Sequence, residues 1–399
     1  MGKREDADMK KRIWSLLLAL ALVCSLLPGA ALAAGETPAP PADGTIHTTT
    51  GGFEFIFKSG GWTVKSYTGS SSTVTVPKQV EGYDVTAIGD HAFSANKNIT
   101  TVSLPKGVVS IGAGAFNECP KLAKVTIPAG GLTSIGDTAF FRCGLLSSIA
   151  LPYGLTSIGA SAFSECAKLT AVTLPDTLTS IGTDAFFGCG LTTIAVPGTV
   201  ATIGDTVFQN CGNLTTVNLG GGLKSIGDKM FLGCAKLTKL VIPDSVTSIG
   251  EAAFKNCGLT VAIVPEQVKS LGAQAFFGCK NLKTLCIPGT IATLPQDAIT
   301  GCTSLTTIHY TGAGDLGGLP PAADGAAGIA VHSSTASSER KKIPSCSEEG
   351  TMEASVVCKA VGCKETLPVE LRPVAKKPHT SVEFPQTPPD CVTAGKTAW

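Results

Sequence analysis

The sequence predicts a right-handed solenoid of α/β class leaning to β, with short parallel strands, short helical turns and an N-terminal β-hairpin cap. Three observations carry this. An Ile-Gly step recurs at Ile88, Ile111, Ile135, Ile158, Ile181, Ile203, Ile226 and Ile249, then continues as Leu271-Gly272 and Leu294-Pro295, at steps of 22 to 24 residues. Five residues after successive anchors stand Phe93, Phe116, Phe140, Phe163, Phe186, Phe208, Phe231, Phe254 and Phe276, and lastly Ile299. Three residues further comes a Cys, from Cys119 to Cys302, with Asn96 in its place in the first copy. A fixed period in this range belongs to units that bury their apolar face only against their neighbours.

In chain order, residues 1–33 read as an export signal. Lys10-Lys11-Arg12 supplies positive charge, Ile13 to Leu27 the apolar stretch, and Ala31-Leu32-Ala33 a cleavage site before Ala34. Met9 is an alternative start. Pro28-Gly29 interrupts the apolar run, which argues against a membrane anchor. Residues 34–52 are rich in Pro, Thr and Gly and read as a linker. Phe53 to Phe57 and Trp62 to Tyr67 alternate and are joined by Lys58-Ser59-Gly60-Gly61, a hairpin signal. With a lead-in strand at Thr73 to Pro77, they make a capping unit over 53–81 that shields the open end of the stack.

The repeats occupy 82–310. After each Cys comes a Leu-x-x-Val-x-Leu-Pro run, as from Leu169 to Pro175. Its alternation at Val172 and Leu174 reads as a short strand with one buried face. Pro175 has no N–H to give a ladder and ends the strand. Ala-Phe-x-x-Cys reads as one helical turn, with Asp90, Asp137, Asp205 or Asp228 capping its start. The Gly after Ile marks either a positive φ or a close approach between coils. The last copy decays, with Pro295, Ile299 and no Pro after Tyr310, as expected where a stack stops. Residues 311–344 read as a flexible linker. Residues 345–399 form a Cys-containing tail, in which Pro344 to Gly350 loosely recurs as Pro389 to Gly395; the second copy stops at Trp399, as if the chain were cut inside a module.

The pattern Leu-x-x-Val-x-Leu-Pro-x-x-Leu-x-Ser-Ile-Gly-x-x-Ala-Phe-x-x-Cys resembles the BspA-type leucine-rich repeat of bacterial surface proteins, in about ten copies over 82–310. The resemblance implies a secreted or cell-surface leucine-rich-repeat protein that mediates protein–protein interaction or adhesion. Its partner would be a protein or peptide of a host or neighbouring cell. The alternative is a structural spacer presenting the Cys-bearing tail or a further domain. The Cys here precedes the strand's first Leu, unlike the common leucine-rich repeat, so the curvature of the common horseshoe is not expected to carry over. The tail resembles small Cys-bearing modules that follow repeats in some exported bacterial proteins, with Cys358 and Cys363 more widely spaced than the usual Cys-x-x-Cys.

A net charge of +1 with 15% charged residues offers no electrostatic argument for nucleic acid. After the signal, no stretch is long and apolar enough to span a bilayer. His47, His91, His309, His332 and His379 fall in no metal or nucleophile pattern, and the Gly-rich segments lack the Lys-Ser/Thr ending of a phosphate loop. No enzyme activity and no cofactor are therefore expected. The Cys column reads as small buried hydrophobes, with disulfides or metal as alternatives. Cys346, Cys358, Cys363 and Cys391 of the tail could pair as disulfides, bind zinc with His379, or stay free.

What remains as a working surface is the outward side of the strands, read in two columns. The first holds Thr101, Lys124, Thr193, Thr216, Lys239, Val261 and Thr284. The second holds Ser103, Thr126, Thr173, Asn218, Val241, Ile263 and His309. It is hydroxyl-rich and lacks aromatics, which suits a broad, shallow protein or peptide contact; Thr is also simply a good strand former. Val261 and Ile263, side by side, are where an exposed apolar patch is expected. If the signal reading holds, mass spectrometry of the exported product will give Ala34 as its first residue; a product that retains Ile13 to Leu27 would contradict it.

Overall fold

The computed structural model describes residues 39–295, 297–312 and 316–317, and the strands at 330–333, 345–346, 352–357 and 366–370. The chain divides into units Met1–Pro40 and Pro41–Trp399. The expected export signal lies outside the described residues.

The cap comes first. β1 (Ile46–Thr48), β2 (Phe53–Lys58) and β3 (Gly61–Tyr67) pair antiparallel in sequence order. The hairpin is as expected, but β1 lies within the stretch read as a linker. Alternation along β2 buries Phe53, Phe55 and Phe57, and Trp62 and Tyr67 join them from β3. The buried Trp62 indole donates to the Val80 carbonyl at 2.8 Å, which leaves no stranded donor in the apolar cap. β3 then pairs parallel with the strand Tyr83–Ile88, and from there every coil repeats one path.

Each coil has three walls. The strand wall stacks Thr73–Thr75, Thr101–Ser103, Lys124–Thr126, Ser148–Ala150, Ala171–Thr173, Thr193–Val196 and Thr216–Leu219 in parallel. Its register sets Ser148 against Lys124 and Ala171, one coil to either side. The second wall stacks the Ser-Ile steps, from Ser110–Ile111 to Thr202–Ile203, onto Tyr83–Ile88. Both ladders are interrupted near the same place. The Ser-Ile ladder stops at Ile203 and restarts at Ser225–Ile226, whereas residues 239–242 form no strand and the strand wall restarts at Val261–Ile263. Gly220-Gly221-Gly222 stands there in place of the usual Pro-x-x. In the next coil the Ser245 hydroxyl is buried without a partner, although its counterparts Thr177 and Thr199 each donate across the coil gap at 2.8 Å.

The third wall was expected to be helical and is not; among the described residues there is no helix. Two residues per coil, four apart, have positive φ: Thr138 and Arg142, Ser161 and Glu165, Lys229 and Gly233. A left-handed residue every fourth position cannot propagate a right-handed helix. Instead, alternate N–H groups cross to the next coil. Thr138, Phe140 and Arg142 donate to the carbonyls of Ala160, Ala162 and Ser164 at 2.7, 2.8 and 2.9 Å, while Phe141 and Cys143 turn back to carbonyls three residues earlier. This wall continues through the interrupted region, where Thr206, Phe208 and Asn210 donate to Asp228, Met230 and Leu232.

The Asp column has a different role from the one expected. Asp90 and Asp137 accept the N–H of Ala113 and Ala160 one coil on, at 2.8 and 2.7 Å, rather than capping their own turn. The Gly after Ile answers to close approach. A Cβ at Gly112 would sit 2.5 Å from the Asp90 carboxylate and 2.6 Å from its amide nitrogen.

Inside the three walls lies one continuous core. Nine Phe rings, Phe93 to Phe276, stack with centroids 4.9 to 5.9 Å apart and planes 3 to 15° from parallel. Tyr67 and Phe53 close the N-terminal end of the pile, 5.4 and 6.3 Å from Phe93. Each such ring contributes about 1.5–3 kcal/mol by burial before chain entropy is subtracted. The left-handed positions give a clean test, because a Cβ at Gly188 (φ 64°) would meet nothing closer than 3.9 Å. Gly188→Ala is expected to lower stability by about 1 kcal/mol in urea unfolding from backbone strain alone, and Gly188→Asn by less, since Asn tolerates this region. Equal loss for both, or none, would contradict that account.

Candidate interaction surface

The outward columns of the strand wall fall where the alternation places them. Lys124, Thr126, Thr173, Thr193, Thr216 and Lys239 are exposed, and Thr101, Ser103, Asn218 and Val241 are partly so. Their inward neighbours Val125, Val172, Ile194 and Val217 are buried. The expected exposed patch at Val261 and Ile263 is not there. Ile263 is 8% exposed, and Thr284 and His309, also assigned to the outward face, are 6% and 7% exposed. The register is as expected, since Ile263 pairs with Cys286 and Cys286 with His309. An outward column that turns apolar marks a covered surface, because exposed apolar columns are costly. The open part of the wall therefore runs over the earlier coils.

Much of the threonine on the molecule has a structural task that alternation alone did not reveal. Thr156 and Thr179 Oγ1 each donate at 3.0 Å to the carbonyl of the residue before the Ser-Ile step one coil back, Thr133 and Thr156. Thr215 does the same to Thr192 ahead of the strand wall, at 3.0 Å. These hydroxyls tie coils at the corners. Those of Thr173, Thr193 and Thr216, in mid-wall, point outward and are the ones left for a partner. Two exposed features off this wall had no strong sequence signal. Arg142 bridges Glu118 and Glu165 on the neighbouring coils at 3.3 and 2.9 Å, and Tyr153 stands 74% exposed after the Ser148–Ala150 strand.

The Cys column is internal. Each thiol from Cys119 to Cys302 donates to the carbonyl of the Phe one coil back, as Cys166 does to Phe140 at 3.1 Å and Cys189 to Phe163 at 3.0 Å. All nine are free. The first coil has no stacked Phe carbonyl below it, and there Asn96 instead accepts the N–H groups of Asn98 and Ile99. Burial pushes the thiols up, to about 11 at Cys119 and Cys302 and about 12 at Cys166, because a thiolate would be desolvated there. Among the tail cysteines, Cys346 lies in the strand Ser345–Cys346, whereas Cys358, Cys363 and Cys391 lie outside the described residues.

Among the described residues, no three His, Cys, Asp or Glu side chains gather so as to hold a metal, and no helix is long and apolar enough to cross a membrane. His47 pairs with Glu81 at 2.9 Å in the cap, and His91 sits exposed at a left-handed position. His379 lies outside the described residues.

Comparison with known proteins agrees with this architecture. The family model of the BspA type leucine rich repeat region, counted as six copies, matches residues 86–215 and 201–314, more than half of the chain. A solved leucine rich repeat protein of T. pallidum is 33% identical, with 48% of this chain and 90% of that one covered and a TM-score of 0.45. A leucine rich cell surface protein from Faecalibacterium prausnitzii A2-165 is 28% identical over 68% of this chain and 96% of that one, with a TM-score of 0.41. The pneumococcal vaccine antigen PcpA is 21% identical over 68% and 88% of the two chains, with a TM-score of 0.42. No curated protein matches the chain.

The thiol column predicts an alkaline limit. A folded-state pKa above the unfolded one adds stability that is complete below the unfolded value, near 8.5 for a free thiol. That contribution is lost as pH rises through the folded values, about 11 at Cys119 and Cys302 and about 12 at Cys166. The urea midpoint should therefore hold up to about pH 8 and fall between about pH 9 and 12. Below pH 9 the native thiols should react with iodoacetamide far more slowly than free cysteine, the half-buried Cys302 first. Rapid labelling of Cys166 in the folded protein would refute this.

Proposed function

Because the chain belongs to the BspA-type leucine-rich repeat family, we propose that it is an exported protein, secreted or held at the cell surface, that adheres to a protein on a host or neighbouring cell through its strand wall. The family is a scaffold for protein–protein interaction, and its leucine-rich-repeat fold is typically non-enzymatic. One observation carries the assignment of the surface: the core is filled from the cap to the last coil, so the work must be done on an outer wall. Of the three walls, the turn wall commits alternate N–H groups to neighbouring coils and is uneven at its left-handed residues. The strand wall over coils two to six is regular and open, with the hydroxyls of Thr126, Thr173, Thr193 and Thr216 exposed.

A contact of this kind is shallow, and its affinity comes from area and shape match more than from one deep anchor. A bulky side chain in the middle of the wall should therefore break it. Beads coated with the chain are expected to attach to target cells, and Thr173→Arg together with Thr193→Arg should cut attachment by tenfold or more. Arg at Thr183 and Ala201, exposed and outside the wall, should leave attachment intact. Attachment that survives the wall substitutions but vanishes on removal of residues 345–399 would favour the spacer reading instead.

A further inference from the structure

Charge is sorted among the walls in a way the net value conceals. From the Cys of each coil (Asn96 in the first) to the Pro that ends its strand, or to Tyr310 in the last, there is no Asp or Glu. Lysines do occur there. Lys97, Lys121 and Lys124 gather on the first two coils, Lys168 follows on the fourth, Lys236 and Lys239 stand together on the seventh, and Lys280 and Lys283 on the ninth; all eight are exposed. The carboxylates lie elsewhere: Asp90, Asp137, Asp205 and Asp228 accept bonds on the turn wall, and Glu118 and Glu165 pair with Arg142. None of the eight lysines takes part in an ion pair among the described residues. Lys236 donates only to the neutral Asn213, at 2.8 Å.

Resting on the reading of the strand wall as the working surface, we infer that its partner presents an extended acidic segment, rich in Asp or Glu, laid along the stack. Three features favour this occupant. A wall with one sign of charge attracts the opposite sign and speeds its encounter. The exposed residues of the wall include no aromatic ring, so a sugar chain would find no stacking platform. The hydroxyls of Thr173, Thr193 and Thr216 lie between the lysines of the first two coils and those of the seventh, and can bond a peptide backbone or carboxylate. Five coil steps separate Lys124 from Lys239, roughly 24 Å at the usual strand spacing. An extended segment of about seven or eight residues bridges that distance.

The test uses the mature exported chain and a fluorescent deca-glutamate peptide, with binding read by anisotropy. Binding is expected at 50 mM salt and should weaken at least tenfold by 200 mM. Replacing Lys121, Lys124, Lys236 and Lys239 by Glu should reduce it by tenfold or more. Replacing Lys78, Lys106, Lys224 and Lys269, which lie off the wall, removes the same net charge and should change it less than twofold. Equal loss in both variants would mean a response to net charge alone and overturn the inference. So would binding of dextran sulfate at the four wall lysines when the peptide does not bind. If the peptide fails to bind while Thr173→Arg with Thr193→Arg still abolishes attachment, the acidic partner is wrong and the wall assignment stands.

Discussion

Every coil must hand its backbone donors and acceptors to the coils above and below it, at one spacing, all the way around. That constraint governs the rest of the molecule. A strand in a sheet meets it by alternation, and two of the three walls do so. The third wall must turn sharply within a few residues, so it meets the constraint with left-handed residues that aim every second N–H across the gap. Side chains complete the pairing where the backbone falls short. Thr hydroxyls at the corners, Asp carboxylates beside the Ile-Gly step and thiols behind the Phe column all bond to the neighbouring coil's main chain. Buried polar groups left unmade would each cost about 1–3 kcal/mol, so these small contacts decide which residues recur as much as the apolar core does.

The array itself was legible because its signals are redundant. Ile, Phe, Cys, Leu and Val recur together, and a shift in one would be exposed by the others. The hairpin cap was legible from alternation and a four-residue polar joint. The turn wall was misread for a physical reason. Ala-Phe-x-x-Cys has the spacing of one helical turn, and the left-handed positions that forbid a helix are occupied by Gly in only some coils; Thr138, Arg142 and Lys229 hold the same geometry with no marker in the sequence. The surface was legible in orientation but not in exposure. Alternation correctly points Ile263 and His309 outward, yet it cannot say whether anything covers them. A net charge of +1 hid the sorting of lysines from carboxylates, which only becomes visible once residues are assigned to walls.

The thiol column shows how a reactive residue type can serve as a quiet one. Where thiols meet an oxidising compartment they ordinarily pair. Here each is closed in, neutral, and bonded to a carbonyl, so its chemistry is suppressed by the same burial that makes it useful as filler.

The interrupted ladders around Gly220 to Gly222 have a mechanical consequence. Any load applied along the stack passes from coil to coil through the bonds that cross each gap. Between the coils of Ile203 and Ile226 both ladders are broken, and the strand ladder stays broken to the coil after, while the turn wall runs on unbroken. Under tension the array would begin to part in its middle rather than peel from a terminus, and the turn wall would act as the tether that lets the two halves re-engage when the force is released.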